Sequence, residues 1–433
     1  MKRRDAIWSM LRSDLGRKSA VYFSALVANA LLGIVVYSLL TRSMDVASFG
    51  TYSFLIAFFT LTGMFFDFGI APAGMRLMAL VEDRRSFARR AGALFLLSLG
   101  VGLLFGGFVF GASFAVDAWW NYAGAGDVLR MVAPLAAVYP LQEMVLSISQ
   151  GSSRMKFMSA FLLLPRSILI LLLIALSLQG GLDLHGAMLA TLLAMAAAIG
   201  IAIGFLAPTF RGLGDELKTI GAEVREFGRE VYAGRLVDGM TNGLDKMLIS
   251  FFHGMAPVGF YAIAMTMSTP ISMFSKAVSH SAYKRFVSEA RIPRRILVIS
   301  LLWSTVGAAA LWAACQALIP LFFTDRYSEA LTVLPWIMAG FGLAGLNHPF
   351  HAFLAAHRQG RAIRIMSMTS SGVNIALNVA LIPFLAMTGA ALAFLATYAV
   401  NIAMNLHFYR QVLREEAETG RLSAPDEENP RHG

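Results

Sequence analysis

Long apolar runs separated by short polar, Gly- or Pro-bearing stretches recur along the whole chain. They fall at about 19–40, 49–71, 91–116, 131–150, 157–178, 184–207, 231–253, 257–280, 296–322, 331–355, 365–385 and 389–409. Each matches the roughly 20 residues that an α-helix needs to cross about 30 Å of hydrocarbon. The pattern predicts an all-α polytopic membrane protein with twelve transmembrane helices. Twelve such spans take about 240 of the 433 residues, which leaves short loops, two small ends and little for a catalytic domain outside the bilayer. Two segments carry a different period. Leu213, Leu217, Ile220, Val224 and Phe227 repeat at spacings of four and three among Asp215, Glu216, Lys218, Arg225 and Arg229. That spacing predicts a helix with one apolar face lying on the cytoplasmic membrane surface and linking two halves across 208–230. Residues 1–18 repeat the theme with Ile7, Trp8, Leu11 and Leu15 among basic residues, and 411–433 is polar enough to read as a disordered tail.

Composition removes the soluble alternative: 57% of residues are apolar, 14% are charged, and mean hydropathy is +0.64. The net charge of +10 would suggest nucleic acid in a soluble protein, but its placement argues otherwise. The N-terminus, the loops after spans 2, 4, 6, 8 and 10, and the tail hold 6, 5, 2, 4, 5, 3 and 4 Lys and Arg, or 29 of the 36. The alternate loops hold Arg42, Arg130 and Arg326, and four lie inside spans. Excess positive charge marks the cytoplasmic side, so both termini are expected inside. The basic start runs into the first apolar span without a small-residue cleavage site, so no cleaved signal peptide is expected. Cys315, alone in an apolar run, reads as packing.

The two halves of the chain resemble each other. Phe49-Gly50-Thr51-Tyr52 and Val258-Gly259-Phe260-Tyr261 stand 209 residues apart, Phe157-Met158-Ser159 and Ile365-Met366-Ser367 stand 208 apart, and His185-Gly186-Ala187-Met188 and Thr388-Gly389-Ala390-Ala391 stand 203 apart. Six spans is an even number, so the halves keep one orientation. They should form lobes at 19–207 and 231–410 related by a pseudo-twofold axis along the membrane normal, with a cavity between them.

A charge at mid-span costs about 2.5 to 3.5 kcal/mol on insertion scales, so each should face protein or water. Eight are present: Asp67, Glu143, Arg166, Arg235, Asp238, Asp245, Lys246 and Lys276. At 100° per residue, Arg235, Asp238, Asn242, Asp245 and Lys246 fall mainly on one side of span 7, which should therefore line the cavity. Arg235 and Asp238 are also spaced to pair with each other at i, i+3. Arg166 follows Pro165 near mid-span, where a kink and a guanidinium together suit a phosphate oxygen; the competing reading pairs it with Glu143. Asp67 and Lys276 stand 209 residues apart. They are therefore candidates to meet across the axis as a cytoplasmic gate, against a capping role for Asp67 and snorkelling of Lys276. His348 and His351 lack a third ligand, so no metal site is expected. No G-x-x-x-x-G-K-[ST] loop, G-x-S-x-G elbow or zinc helix motif is present, and no cofactor is implied.

The run Thr41-Arg42-Ser43-Met44-Asp45-Val46-Ala47-Ser48-Phe49-Gly50-Thr51-Tyr52, followed by Asp67-Phe68-Gly69-Ile70 and Arg76, resembles the opening of polysaccharide exporters and Wzx-type oligosaccharide flippases of the MOP superfamily. Asp245, Val258-Gly259-Phe260-Tyr261, Asn374, Asn378, Leu381-Ile382-Pro383 and Gly389-Ala390-Ala391 resemble that family's later spans, so the likeness covers nearly the whole chain. The resemblance implies two six-helix lobes in a V and alternating access. The substrate it implies is a polyprenyl-pyrophosphate-linked oligosaccharide moved from the cytoplasmic to the outer leaflet, and polysaccharide assembly proteins are the implied partners. On that reading Arg166, Arg235 and Lys246 are candidates for the anionic head and Asn242 for sugar hydroxyls. Glu143, Asp238 or Asp245 would take a coupled H+ or Na+.

Three competitors are weaker. A cation-coupled drug exporter of the same superfamily typically has an acid in span 1, where this chain offers Asn29; the related lipid II flippases usually have two spans more. A polysaccharide polymerase or ligase needs an outer-face site, yet the longest outer loop runs only from 117 to 130.

Overall fold

In a computed structural model of the chain, residues 14–120, 124–240 and 243–418 are described, and within them the chain is helical with no strand. Most of the basic start, at 1–13, and of the polar tail, at 419–433, lies outside the described residues. The N-terminal lobe comprises α1 (Asp14–Ser43), α2 (Val46–Phe65), α3 (Ile70–Ala79), α4 (Arg84–Trp120), α5 (Ala125–Val132), α6 (Val138–Gly151), α7 (Met155–Leu178) and α8 (Leu184–Leu206). A linker helix, α9 (Gly214–Glu223), leads through a π-turn at Val224–Gly228 into the C-terminal lobe. That lobe comprises α10 (Arg229–Met240), α11 (Leu244–His253), α12 (Met255–Ser288), α13 (Arg294–Leu302), α14 (Ala308–Phe323), α15 (Ala330–Ala356) and α16 (Gly360–Glu418). Most of the residues in the apolar runs expected to be spans fall on these helices. Among the described residues eight helices are long and apolar enough to cross a bilayer, and the bent pair α5–α6 makes a ninth.

The departures from unbroken spans have local causes. Span 2 is two helices because Phe68 (φ 48°) and Gly69 (φ 81°) are both left-handed, a conformation that ends α2. Span 4 starts earlier than its apolar run, at Ala125, and bends by 49° between Leu135 and Val138, where Pro134 and Pro140 flank the bend and donate no hydrogen bond. Span 7 is interrupted at Gly243, whose left-handed φ of 103° caps α11. The expectation that Arg235, Asp245 and Lys246 share one continuous helix face therefore fails, because projecting 100° per residue presumes an unbroken helix. Spans 11 and 12 are one helical hairpin folded at Ala386 (φ 50°, ψ −132°). Asn374 Nδ2 donates to Thr397 Oγ1 at 3.2 Å and Asn401 Nδ2 to Ser370 Oγ at 2.9 Å, pairs nearly equidistant from that turn, as antiparallel arms require.

The lobes meet where the sequence repeat predicts an axis. A Cβ on Gly50 would lie 1.8 Å from the Met255 carbonyl oxygen, and one on Gly259 would lie 3.3 Å from the Gly50 nitrogen. Equivalent residues of a twofold pair touch only on the axis, so the contact of Gly50 with its repeat mate's turn marks it. Around it Phe49 packs edge-on against Tyr37 and Tyr327, with ring centres 5.1 and 5.6 Å away. Ser38 Oγ donates to Phe322 O at 2.6 Å and Arg42 Nη2 to Leu321 O at 2.6 Å, which ties the end of α1 to the carbonyls left open at the end of α14. This is the charge-poor end of the molecule. Toward the basic end the C-terminal lobe instead packs its own cluster, including Phe286, Phe350, Phe353 and Met366, apart from the main core.

The linker corrects a second expectation. Its apolar face does not lie on lipid: Ile220 is fully buried, and Leu213, Leu217 and Val224 pack on the core of the N-terminal lobe. Arg76 reaches Glu223 at 2.6 Å and stacks over Phe227, Arg90 reaches Glu216 at 3.0 Å, and Thr209 N donates to Ala88 O at 2.8 Å. Gly69 and Gly228 approach so closely that a Cβ on Gly228 would sit 2.4 Å from Gly69 O. The basic ends of α3 and α4 supply both the apolar seat and the cations that the acidic face of α9 matches. In the adjoining loop, hydrogen bonds from Ser86, through its side chain and its backbone N–H, hold the Asp83 carboxyl below the usual carboxylate range.

Candidate substrate cavity

The break in span 2 builds the site. The left-handed pair Phe68–Gly69 stops α2 and restarts the chain as α3, and Asp67 sits in the gap, where its Oδ1 accepts the Ala71 N–H at 2.9 Å. The capping role considered for Asp67 is therefore made, and it leaves Oδ2 buried without a hydrogen bond. Ending α2 also leaves carbonyls open, and Tyr232 on α10 takes one, its hydroxyl donating to Phe65 O at 2.7 Å. One turn further along α10, Arg235 faces the same gap. Its Nη2 lies 2.6 Å from Glu143 Oε1 on α6, and its Nη1 lies 3.9 Å from Asp67 Oδ2.

These groups line a cavity of about 310 Å³ between α2, α4, α6 and α10. Phe59 and Tyr139 stack with ring centres 4.9 Å apart on its wall, Tyr232 closes another side, and Thr60, Ser98 and Gln142 add uncharged polar groups. Aromatic faces beside hydroxyl and amide groups suit a ring that is apolar on its faces and polar at its rim. The Arg235 and Glu143 side chains are 45% and 43% exposed and that of Asp67 is 17% exposed, so water reaches the ion pair.

Of the nine residues singled out in the sequence, Asp67, Glu143 and Arg235 come together here. Asn242 and the side chain of Asp238 lie outside the described residues, and the expected Arg235–Asp238 pairing lies there with them. Arg166 is elsewhere: its guanidinium donates to Asn29 O on α1 and fills the space over Gly33, where a Cβ would be 2.9 Å from Nη1. The alternative Arg166–Glu143 pair is not formed, because Glu143 is taken by Arg235. Asp67 meets Arg235 rather than Lys276, which is exposed on α12, so the cross-axis gate pair is not made in this conformation. Asp245 and Lys246 open α11, where Asp245 Oδ1 accepts the Lys246 N–H at 2.8 Å.

A profile of the family described as polysaccharide biosynthesis protein matches residues 15–283. The chain belongs to that family. No curated protein matches this polysaccharide biosynthesis protein. Among solved structures, it is similar to the lipid II flippase MurJ in an inward closed conformation, with 13% identity over 93% of this chain and 91% of that one and a TM-score of 0.68. An inward-facing multidrug resistance MATE family transporter of the MOP superfamily gives 13% identity over 94% and 100% of the two chains and a TM-score of 0.69. A MOP superfamily transporter from Pyrococcus furiosus gives 14% identity over 94% and 97% and a TM-score of 0.64. The family member thus has the MOP transporter fold, all-helical and membrane-spanning, as the apolar runs and the repeat predict.

Sequence reasoning missed one feature of this family member, a buried ladder of amides in the C-terminal lobe. Asn405 Nδ2 donates to Asn347 Oδ1 at 3.0 Å and to Asn401 Oδ1 at 2.7 Å, and Asn378 Nδ2 donates to Asn374 Oδ1 at 2.9 Å. The signal was present: Asn374 with Asn378 and Asn401 with Asn405 each recur at i, i+4 inside apolar spans.

Proposed function

We propose that this polysaccharide biosynthesis protein is a flippase. It moves a polyprenyl-pyrophosphate-linked oligosaccharide from the cytoplasmic to the outer leaflet of a bacterial inner membrane by alternating access. The observation that carries the reading is the water-accessible cavity at the junction of the two lobes, where aromatic faces, amide and hydroxyl groups and one guanidinium converge. Dragging sugar hydroxyls bare through the hydrocarbon would cost a few kcal/mol each, so a polar passage must replace water while the polyprenyl tail stays in lipid. Family membership supports the glycan, and the basic loops set the direction, with both termini inside. In this reading Arg235 holds the diphosphate, and Tyr139, Tyr232 and Gln142 take the first sugar.

The test is transbilayer movement of a fluorescent polyprenyl-pyrophosphate oligosaccharide in proteoliposomes, scored against protein-free vesicles. Movement above background supports the reading. Transport of a cationic dye with the glycan lipid left in place would replace it with the drug-exporter reading.

A further inference from the structure

Arg235 is the one described cation in the cavity, and two carboxylates share it. Asp67 is anchored by its bond to the Ala71 N–H and approaches only to 3.9 Å, whereas Glu143 makes the close contact at 2.6 Å. The three groups carry a net charge of −1, which would repel a diphosphate if all stayed as they are. Yet the close pair is nearly half exposed, and exposed pairs of this kind are weak. A diphosphate offers a guanidinium two or more charged oxygens in the fork geometry that a single carboxylate oxygen does not fill. Arg235 and its competitors also belong to different bodies: α10 opens the C-terminal lobe, while Glu143 and Asp67 sit in the N-terminal lobe.

We infer that Arg235 is an exchanged cation, held by Glu143 while the cavity is empty and ceded to the diphosphate head when substrate enters. Glu143 is then a negative competitor for the ligand rather than part of its binding surface, and loading the site severs an ionic tie between the lobes. This rests on the flippase reading above. It adds that a carboxylate in the site weakens binding so that the head is released after the swing.

The two ideas separate in one binding experiment, using full-length protein in lipid nanodiscs with geranylgeranyl diphosphate as probe and inorganic pyrophosphate as the tail-free competitor. Arg235→Ala should weaken binding at least tenfold. Glu143→Gln should tighten it by about 1.5- to fivefold, the range expected on removing one exposed ionic competitor, and should slow glycan-lipid turnover in proteoliposomes. Glu143→Met, neutral and of similar length, repeats the measurement if the Gln variant does not fold. Displacement of the bound lipid by pyrophosphate supports a site that reads the head. Weaker binding in both neutral variants would overturn the exchange and make Glu143 a ligand contact. If the wild type binds no polyprenyl diphosphate, the flippase reading itself falls.

Discussion

Replacing Gly50 with alanine should break the junction of the lobes at the charge-poor end. The added carbon would sit 1.8 Å from Met255 O and 2.6 Å from its carbonyl carbon, where carbon-to-oxygen contacts settle near about 3.3 Å. Relief requires α2 and α12 to part by about 1.5 Å, and both partners are backbone, so no side chain can rotate away. Overpacking of this kind costs about 1 to 3 kcal/mol, enough to depopulate the joined conformation by a factor of about 5 to 150. The neighbouring Gly259→Ala is the graded control: its new carbon would meet Phe49 Cδ1 at 3.2 Å and Val46 O at 3.3 Å, a contact that small shifts absorb. Cys315 is the chain's only cysteine and is buried, so Cys315→Ala gives a background in which labels at Ser43 and Asp325 report the distance across this end. Double electron–electron resonance should show one short distance in the background protein, a nearly unchanged one with Gly259→Ala, and a longer or broader distribution with Gly50→Ala. Identical distributions and identical melting for Gly50→Ala would refute the close approach and, with it, the placement of the axis.

Arg42→Ala removes the donation to Leu321 O and should lengthen the same label distance while sparing the overall melting temperature, since the side chain is exposed. Asn405→Ala leaves Asn347 Oδ1 and Asn401 Oδ1 without their buried donor and should cost about 1 to 3 kcal/mol, read as a lower melting temperature in detergent; an unchanged transition would mean that the amide ladder bears no load. Ile220→Asp buries a charge under α9 and should undock the linker, so that limited proteolysis cuts within 208–228 faster than in the wild type.

What could be read from the sequence and what could not differ by the range of the interaction. The spans are legible because crossing a bilayer imposes length and apolarity on a contiguous stretch, and among the described residues eight helices, nine with the bent pair, show both. The Gly50 and Gly259 motifs are legible as a repeat, although only packing reveals that they touch. Asp67 and Arg235 stand out as charges in apolar runs, but symmetry of numbering pointed Asp67 at Lys276. Two left-handed residues separate α2 from α3 beside Asp67, and the left-handed Gly243 separates Arg235 from Asp245 and Lys246; neither follows from a hydrophobic period. The linker shows the same limit. Its period reveals an apolar face, and the period is silent on whether lipid or protein covers it.

That seating of the linker fixes where the protein can be cut. Arg76, Arg90 and the Gly69–Gly228 contact fasten α9 to the first lobe, and the chain passes from there along α10 toward the second. A gene split ahead of residue 208 would send the linker away on the second fragment, strip the apolar seat at the base of α3 and α4, and yield a sticky half-protein. A split just after residue 228 leaves each fragment with its own covering, and co-expressed halves cut there should reassemble.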